Sequence, residues 1–185
     1  MFILYAVLIG LALGLTLGGR PLALGDIRIR WWPLILIGFL SQVALFSVQV
    51  SSVIGAAGPP LYVASTLMVG AAVLRNLSIP GMPLIVAGAV CNMAAILANG
   101  GYMPSTAEAL ASIGKGPSTV YTNSSLVPEP AFPWLIDRFA LPPWLPFTNV
   151  FSIGDVVLGI GVVWLIVATM LRGRSVRAAD VAPVH

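Results

Sequence analysis

The feature that most constrains this chain is a stretch of 44 residues, Trp31–Leu74, without a single charged side chain. A helix that crosses the hydrocarbon core of a bilayer needs roughly 20 apolar residues, so the stretch is too long for one such helix and fits two. The segment Ser51–Pro60 supplies the serine, glycine and Pro-Pro pair of a tight connection. The stretch therefore predicts two membrane-spanning helices, near residues 33–50 and 60–74.

The whole chain has the composition of a membrane protein. Of its 185 residues 58% are hydrophobic and 8% are charged, and the mean hydropathy is +1.00, whereas soluble domains carry roughly 25% charged residues. The apolar runs are continuous and longer than the alternating segments of about 10 residues in transmembrane β-barrels. We therefore predict an all-α integral membrane protein, a single domain over residues 1–185. Its five spans are predicted near residues 2–18, 33–50, 60–74, 84–98 and 151–171.

The segments between these runs contain typical helix ends. The first run ends at Gly18–Pro21 and lacks the basic start and cleavage site of a signal peptide, which favours a first helix. The last run is predicted to stop at Arg172–Arg174, before a short disordered tail. Residues 99–148 form a long proline-rich outer loop, too long for a bare connection. Trp134 and Trp144 suggest that its second half lies along the membrane interface.

The distribution of arginine and lysine gives the five predicted helices a direction. Cytoplasmic segments of membrane proteins are enriched in these residues. With five spans, seven of the nine basic residues fall on one side, and only Lys115 and Arg138 fall on the other. We therefore expect the N-terminus and the long loop outside and the C-terminus in the cytoplasm. One span more or fewer would divide the seven between both sides. The seven are Arg20, Arg28, Arg30, Arg75, Arg172, Arg174 and Arg177.

A few polar side chains inside or beside the predicted spans are the candidate site. Asn92 and Asn99 are seven residues apart, on one face of the fourth helix, and Asp155 lies about one turn inside the fifth. Two interpretations stay open. In the structural one, the amides hold helices together and Asp155 acts at the N-terminus of its helix with Ser152 and Asn149. In the functional one, these residues line a polar pocket at the outer face.

Two further patterns predict helix packing. Gln42 and Gln49, seven residues apart in the second helix, are expected to face neighbouring helices rather than lipid. Glycines allow helix backbones to approach closely. The glycines concerned are Gly10, Gly14 and Gly18 in the first helix and Gly154, Gly159 and Gly161 in the fifth.

Several classes of site are excluded by what the sequence lacks. Cys91 is the only cysteine and His185 the only histidine, so one chain offers no disulfide, no cysteine-ligated metal and no intramembrane imidazole for haem or chlorophyll. We predict no cofactor, no metal and no catalytic residue. The basic residues flank apolar runs, which argues against a nucleic-acid partner. An enzyme ranks third among the possible functions. The acids available to one are Asp155, Glu108, Glu129 and Asp137.

The stretch Asn92–Pro104, which contains the motif Asn-Gly-Gly-x-Met-Pro, and the later segment Ser152–Asp155 resemble a family of small bacterial multi-pass proteins classed as a domain of unknown function. The resemblance extends from the first predicted helix to the fifth. It implies a multi-pass protein of the bacterial inner (cytoplasmic) membrane, and it implies no activity.

The leading functional hypothesis is a non-catalytic accessory or scaffold subunit of a larger bacterial membrane complex. It rests on the glycine-lined helix faces, the interfacial tryptophans and the missing catalytic residues, and its expected partners are the lipid bilayer and other membrane protein subunits. The alternative is a small transporter or binder of a solute, lipid or quinone. Its polar pocket at the outer face would be formed by Asn92, Asn99 and Asp155.

Overall fold

The chain folds mainly into helices, as predicted. The computed structural model describes residues 2–114 and 124–180, except the side chains of residues 124, 125 and 173–180. Lys115, His185 and the side chains of Arg174 and Arg177, on which predictions rested, lie outside this part. The helices are α1 (Phe2–Thr16), α2 (Trp32–Leu45), α3 (Val48–Ser51), α4 (Gly58–Leu74), α5 (Met82–Ala98), α6 (Ala107–Ser112) and α7 (Ile153–Asp180), with 3₁₀ segments at Pro21–Asp26 and Gly55–Ala57.

Two helical segments, Gly55–Leu74 and Ile153–Arg172, are long and apolar enough to cross a membrane. The apolar helices α1, α2 and α5 are shorter, with 10–17 residues each. Helices α2, α4 and α5 begin with proline in their first two positions, where the missing N–H is not needed by the helix. Helix α1 ends before Gly18, whose φ of 76° turns the chain out of the helix.

The predicted second span is interrupted. Helix α2 ends at Leu45, and the chain restarts as α3 at Val48. The hydroxyl of Ser47 occupies the break, donating to the carbonyl of Ala44 at 2.7 Å and accepting from the N–H of Val50 at 3.4 Å. One side chain therefore satisfies a backbone group on each side of the break, which allows the interruption in an apolar segment.

The last helix is longer than expected, and the prediction that it stops at Arg172–Arg174 is wrong. Helix α7 continues to Asp180. Gly173 costs only about 1 kcal/mol in a helix relative to alanine. No proline occurs between it and Asp180, so nothing removes a hydrogen bond from the helical ladder there.

Helix α7 packs between α1 and α5. It runs parallel to α1, because Phe2 stacks on Phe151 with ring centroids 4.6 Å apart and Gly14 lies against Met170 further along both helices. It runs antiparallel to α5. At the far end, the N–H of Arg20 donates to the carbonyl of Met170 at 2.9 Å.

Helix α2 runs antiparallel to α4. Gln42 of α2 donates to the hydroxyls of Ser65 and Thr66 of α4 at 3.3 and 3.2 Å, so the prediction that Gln42 faces a neighbouring helix is confirmed. Gln49 lies beyond the break after α2 and is exposed. The same expectation is therefore wrong for Gln49, because α2 ends before that residue.

The closest helix contact joins α5 to α7 through two pairs of glycines. A Cβ at Gly88 would lie 2.6 Å from the N of Leu158 and would collide with the carbonyl of Gly154. A Cβ at Gly161 would lie 2.7 Å from the carbonyl of Gly81. Gly81, which immediately precedes α5, and Gly88 are seven residues apart, as are Gly154 and Gly161, so both pairs lie on one seam, where the backbones touch.

The predicted glycine contacts are confirmed at five of six positions. Gly154 and Gly161 face α5, and the other three pack between α1 and α7: Gly10 against Ile166, Gly14 against Met170, and Gly159 against Phe2. Gly18 instead terminates α1.

A small layer of irregular structure covers the end of the bundle where α5 ends and α7 begins. Strand β1 (Met103–Pro104) pairs in parallel with β2 (Ser124–Ser125), and β3 (Phe139–Ala140) pairs antiparallel with β4 (Val150–Phe151). The hydroxyl of Tyr5 in α1 donates to the carbonyl of Pro146. The long loop is thus attached to the bundle at several points.

The glycine seam makes a stability prediction. Replacing Gly88 by alanine should destabilise the protein by about 1–3 kcal/mol, because the methyl group must push α5 away from the backbone of α7. Gly70 in α4 is a matched control, since nothing lies within 4 Å of a Cβ built there. Gly70→Ala should be neutral or stabilising by up to about 1 kcal/mol. Thermal unfolding in detergent measures both, and equal effects of the two substitutions would contradict the seam.

Candidate functional site

Helix α7 begins with a reciprocal capping arrangement. Ser152 precedes the helix and accepts from the N–H of Asp155 at 3.1 Å, while the carboxylate of Asp155 accepts from the N–H of Ser152 at 2.9 Å. This is a capping box with aspartate in the place of glutamate. The carboxylate also lies at the positive end of the helix dipole.

Asn92 of α5 extends this cap to a second helix. Its amide N–H donates to Oδ1 of Asp155 at 2.8 Å, and its carbonyl oxygen accepts from the hydroxyl of Ser152 at 2.9 Å. Ser152 is completely buried. The three side chains satisfy one another in a closed ring, an arrangement that favours the structural interpretation of these residues over a ligand pocket.

The other two predicted site residues lie elsewhere. Asn99 follows the end of α5; its amide donates to the carbonyls of Ala95 at 2.7 Å and Ala131 at 3.0 Å, and its carbonyl accepts from the N–H of Ala131 at 2.9 Å. Asn99 thus binds both the N–H and the carbonyl of Ala131, an arrangement that we call an asparagine clasp. Ala131 belongs to the long loop of residues 99–148, the covering loop. Asn149 contributes its backbone carbonyl to the N–H of Leu141 at 3.0 Å. The structure thus joins three of the five predicted residues.

The motif around Asn99 is explained by packing. Gly100 and Gly101 have φ values of 70° and 88°, and a Cβ at Gly101 would meet Pro59 at 2.5 Å. These positions require glycine because the backbone is left-handed and Pro59 is close. The turn places Met103 in a buried cluster with Tyr62 and other residues of α2, α4 and α5.

Sequence reasoning missed a second asparagine clasp, at the opposite end of the bundle. Asn76 follows the end of α4; its amide donates to the carbonyls of Ala72 at 2.7 Å and Arg30 at 2.8 Å, and its carbonyl accepts from the N–H of Arg30 at 2.8 Å. It is 3% exposed. The signal is the spacing Ala-x-x-x-Asn at a helix end, which Ala72 and Asn76 share with Ala95 and Asn99.

Asp137 is the most unusual ionisable residue in the covering loop. It is 6% exposed and pairs with Ser105 in an isolated parallel bridge, so the two side chains lie on the same face. The hydroxyl of Ser105 is also buried and has no hydrogen-bond partner among the described residues. Burial, reinforced by the negative charge of Asp155, raises the pKa of Asp137 to about 7.

This arrangement can hold and release a proton near neutral pH, because a carboxyl group with a pKa of about 7 changes its charge there. Within the described part of the chain, no group of three or more His, Cys, Asp or Glu side chains lies close enough together to hold a metal ion.

Residues 26–167 match the model of a family of unknown function, DUF5317. The matched part extends from the segment before α2 into α7 and includes both asparagine clasps and the ring of Asn92, Ser152 and Asp155. No curated protein and no solved structure matches the chain with significance.

The cap of α7 can be tested by replacing Ser152 with alanine. The substitution removes the N-cap and a buried hydrogen bond to Asn92, and it should lower the free energy of unfolding by about 1–3 kcal/mol. Ser52→Ala is the control, because Ser52 is exposed and bonds only its own turn; its effect should stay within about 0.5 kcal/mol. A Ser152→Ala protein as stable as the control would refute the structural role of the ring.

The burial of Asp137 predicts a pH dependence of stability. Its pKa of about 7 lies above the unfolded value of 3.8. The unfolded chain therefore ionises first, and stability should fall by about 1.4 kcal/mol per pH unit as pH rises from about 4 to about 7, then level off. Asp137→Asn should remove this decline. Glu129→Gln, at an exposed acid of the same loop, should keep it, and thermal unfolding at pH 4–8 distinguishes them. A decline that persists in Asp137→Asn would assign it to another group.

Proposed function

The chain belongs to the DUF5317 family of unknown function, and we propose that it is a multi-pass protein of the bacterial inner membrane that serves as a non-catalytic accessory or scaffold subunit of a larger complex. The observation that carries the proposal is the distribution of side-chain sizes. Many large apolar side chains lie on the outside of the helices, and glycine, alanine and serine lie at many of the contacts between helices.

Helix α2 illustrates this distribution. Phe39, Leu40 and Val43 are 52%, 58% and 69% exposed, whereas Gly38 packs against Val69 of α4. A soluble protein would bury such side chains, because exposed apolar area costs about 25 cal/mol per Å². Lipid removes that cost, and small residues then become the contact surface between helices. The pattern supports a bundle surrounded by hydrocarbon.

The directions of the helices support five spans. Helices α1 and α7 run parallel, α5 runs antiparallel to α7, and α2 runs antiparallel to α4. The end of α5 meets the start of α4 where Gly101 contacts Pro59, so these two helices are also antiparallel. Five consecutive spans must alternate in this way. The short helices α1, α2 and α5 require tilt of their neighbours or a locally thin bilayer.

The ends of the bundle support the orientation. Arg30 lies beside Asn76, and the backbone of Arg20 is bonded to Met170, so the basic segment before α2, the end of α4 and the part of α7 around Arg172 gather at one end. The positive-inside rule assigns that end to the cytoplasm and the covering loop to the outside. Exposed tryptophans occur at both ends, Trp32 at one and Trp144 at the other, as in the aromatic belts of membrane proteins.

A scaffold role is supported by the hydrogen bonds of the polar side chains, which are made within the protein. Asn92, Ser152 and Asp155 satisfy one another, and Asn99 is occupied by the backbone of the loop. These residues therefore hold helices and loop in place. The exposed apolar faces of α2 and the exposed Ile160 and Trp164 of α7 are available to lipid and to other membrane subunits.

The alternative, a small transporter or binder of a solute, lipid or quinone, has one observation in its favour. Asp137 is buried at the end of the bundle near Asp155, and its pKa is about 7. Transporters that couple movement to protons use carboxyl groups that change charge near neutral pH. This alternative places the functional group in the covering loop.

Affinity purification of the tagged chain in mild detergent tests the scaffold proposal. The chain should stay in the membrane fraction after extraction with alkaline carbonate and should co-purify with other membrane subunits in fixed stoichiometry. An unrelated multi-pass protein with the same tag is the control and should not recover them. A chain that purifies alone, and whose cells lose uptake of a solute in Asp137→Asn, would overturn the proposal in favour of the transporter.

A further inference from the structure

A cleft of about 350 Å³ opens at the basic end of the bundle. It lies between the 3₁₀ segment Pro21–Asp26, the turn between α4 and α5, and the part of α7 that carries Thr169 and Arg172. Its walls combine apolar side chains, two hydroxyls and three charges. The lining residues are Ala23, Asp26, Ile27, Arg28, Ser78, Ile79, Pro80, Thr169 and Arg172.

Hydrogen bonds of the backbone and of the Asn76 side chain hold all three walls in position. The N–H of Arg20 donates to the carbonyl of Met170 at 2.9 Å, which fixes the 3₁₀ segment to α7. The Asn76 clasp fixes Arg30, two residues after Arg28, to the end of α4. The N–H of Ile79 donates to the carbonyl of Asn76 at 2.9 Å, which shapes the opposite wall. The cleft is therefore built by the fold, and Asn76 positions two of its sides.

The charged side chains lie at the edge of the cleft. Arg28, Arg172 and Asp26 are exposed, while Ala23 is buried and Ile27, Ile79 and Thr169 are half-buried. Thr169 and Arg172 are three residues apart in α7, on the same face of the helix. The cleft thus presents a positive rim with two guanidinium groups over an interior that is partly apolar.

We propose that this cleft binds the phosphate and glycerol part of an anionic phospholipid. The inference rests on the proposed function, because it needs the basic end of the bundle to lie at the cytoplasmic surface of the membrane. The guanidinium groups of Arg28 and Arg172 contact the phosphate, since arginine offers paired N–H donors that match phosphate oxygens. The hydroxyls of Ser78 and Thr169 bond the polar headgroup.

The apolar part of the cleft distinguishes a lipid from a free phosphate ion. Ile27, Ile79 and Pro80 stand beside the arginines, and an inorganic ion gains nothing from them. A phospholipid brings glycerol and the first methylene groups of its acyl chains to the same place as its phosphate. Basic pockets between helices at the cytoplasmic side are suited to anionic lipids for this reason.

Asp26 supplies an internal test of the charge argument. Its carboxylate lies in the same cleft as the two arginines and repels an anionic ligand. Asp26→Asn removes the repulsion at an exposed position without changing the size of the side chain. This substitution should strengthen lipid binding, so the proposal does not depend only on variants that lose function.

The test titrates the purified full chain in detergent with phosphatidylglycerol, phosphatidylcholine or inorganic phosphate and follows its thermal unfolding. Phosphatidylglycerol should raise the unfolding temperature, and the other two should not. Arg28→Gln and Arg172→Gln should each weaken the apparent affinity about fivefold, and Asp26→Asn should strengthen it by a similar factor. Arg75→Gln is the matched control, because Arg75 is exposed at the same end but does not line the cleft; its affinity should equal that of the wild type.

Three outcomes would overturn the inference: an equal response to phosphatidylcholine, an equal response to inorganic phosphate, or a loss in Arg75→Gln as large as in Arg28→Gln. Carbonate extraction separates this failure from that of the proposed function. If carbonate releases the chain from the membrane, the proposed function fails. If the chain stays in the membrane but shows no selective response to phosphatidylglycerol, only the lipid site fails.

Discussion

The backbone contact between α5 and α7 is the interaction on which the rest of the structure depends. Gly88 and Gly154 touch at one level and Gly81 and Gly161 at another, so the two helices have a single register. A Cβ at Gly154 would also collide with the amide oxygen of Asn92. The absence of that side chain leaves the space in which Asn92 reaches the cap of α7. The polar ring therefore exists because the seam is made of glycine.

The same type of asparagine contact occurs at both ends of the bundle. Asn76 and Asn99 each follow a helix and each donate to the carbonyl four residues earlier. Each also bonds the N–H and the carbonyl of one residue in a distant segment. Each clasp satisfies backbone groups that a helix end would otherwise leave without partners in an apolar setting. One clasp fixes the covering loop, and the other fixes the segment that carries Arg28. An asparagine clasp therefore stabilises each end of the bundle.

Local signals in the sequence predict the helices, whereas the contacts between helices depend on residues that are far apart in the sequence. Charge-free runs, prolines at helix starts and the glycines of α1 identify most helices and two of their contacts. Gly81 precedes α5 with a φ of 84°, as in a turn, yet it is also a contact residue of the seam, which only the partner helix reveals. The sequence predicts that Asn92 and Asp155 lie at the same end of the bundle, but the geometry of their hydrogen bond depends on a contact across 63 residues. The break between α2 and α3 at Ser47 depends on one hydroxyl group, and no periodic pattern in the sequence indicates it.

The placement of Arg138 explains why it does not neutralise the charge of Asp137. Arg138 is its neighbour in the chain, and successive residues of an extended segment point to opposite faces. The guanidinium of Arg138 accordingly lies over the rings of Trp134 and Phe139, 5.8 and 6.0 Å from their centroids, on the side away from the bridge to Ser105. The cation that could have lowered the pKa of Asp137 is held by aromatic rings instead. The largest effect of another charge on the pKa of Asp137 comes from Asp155, which belongs to the cap of α7. The proton affinity of Asp137 is in this way linked to the charge of the residue that caps α7.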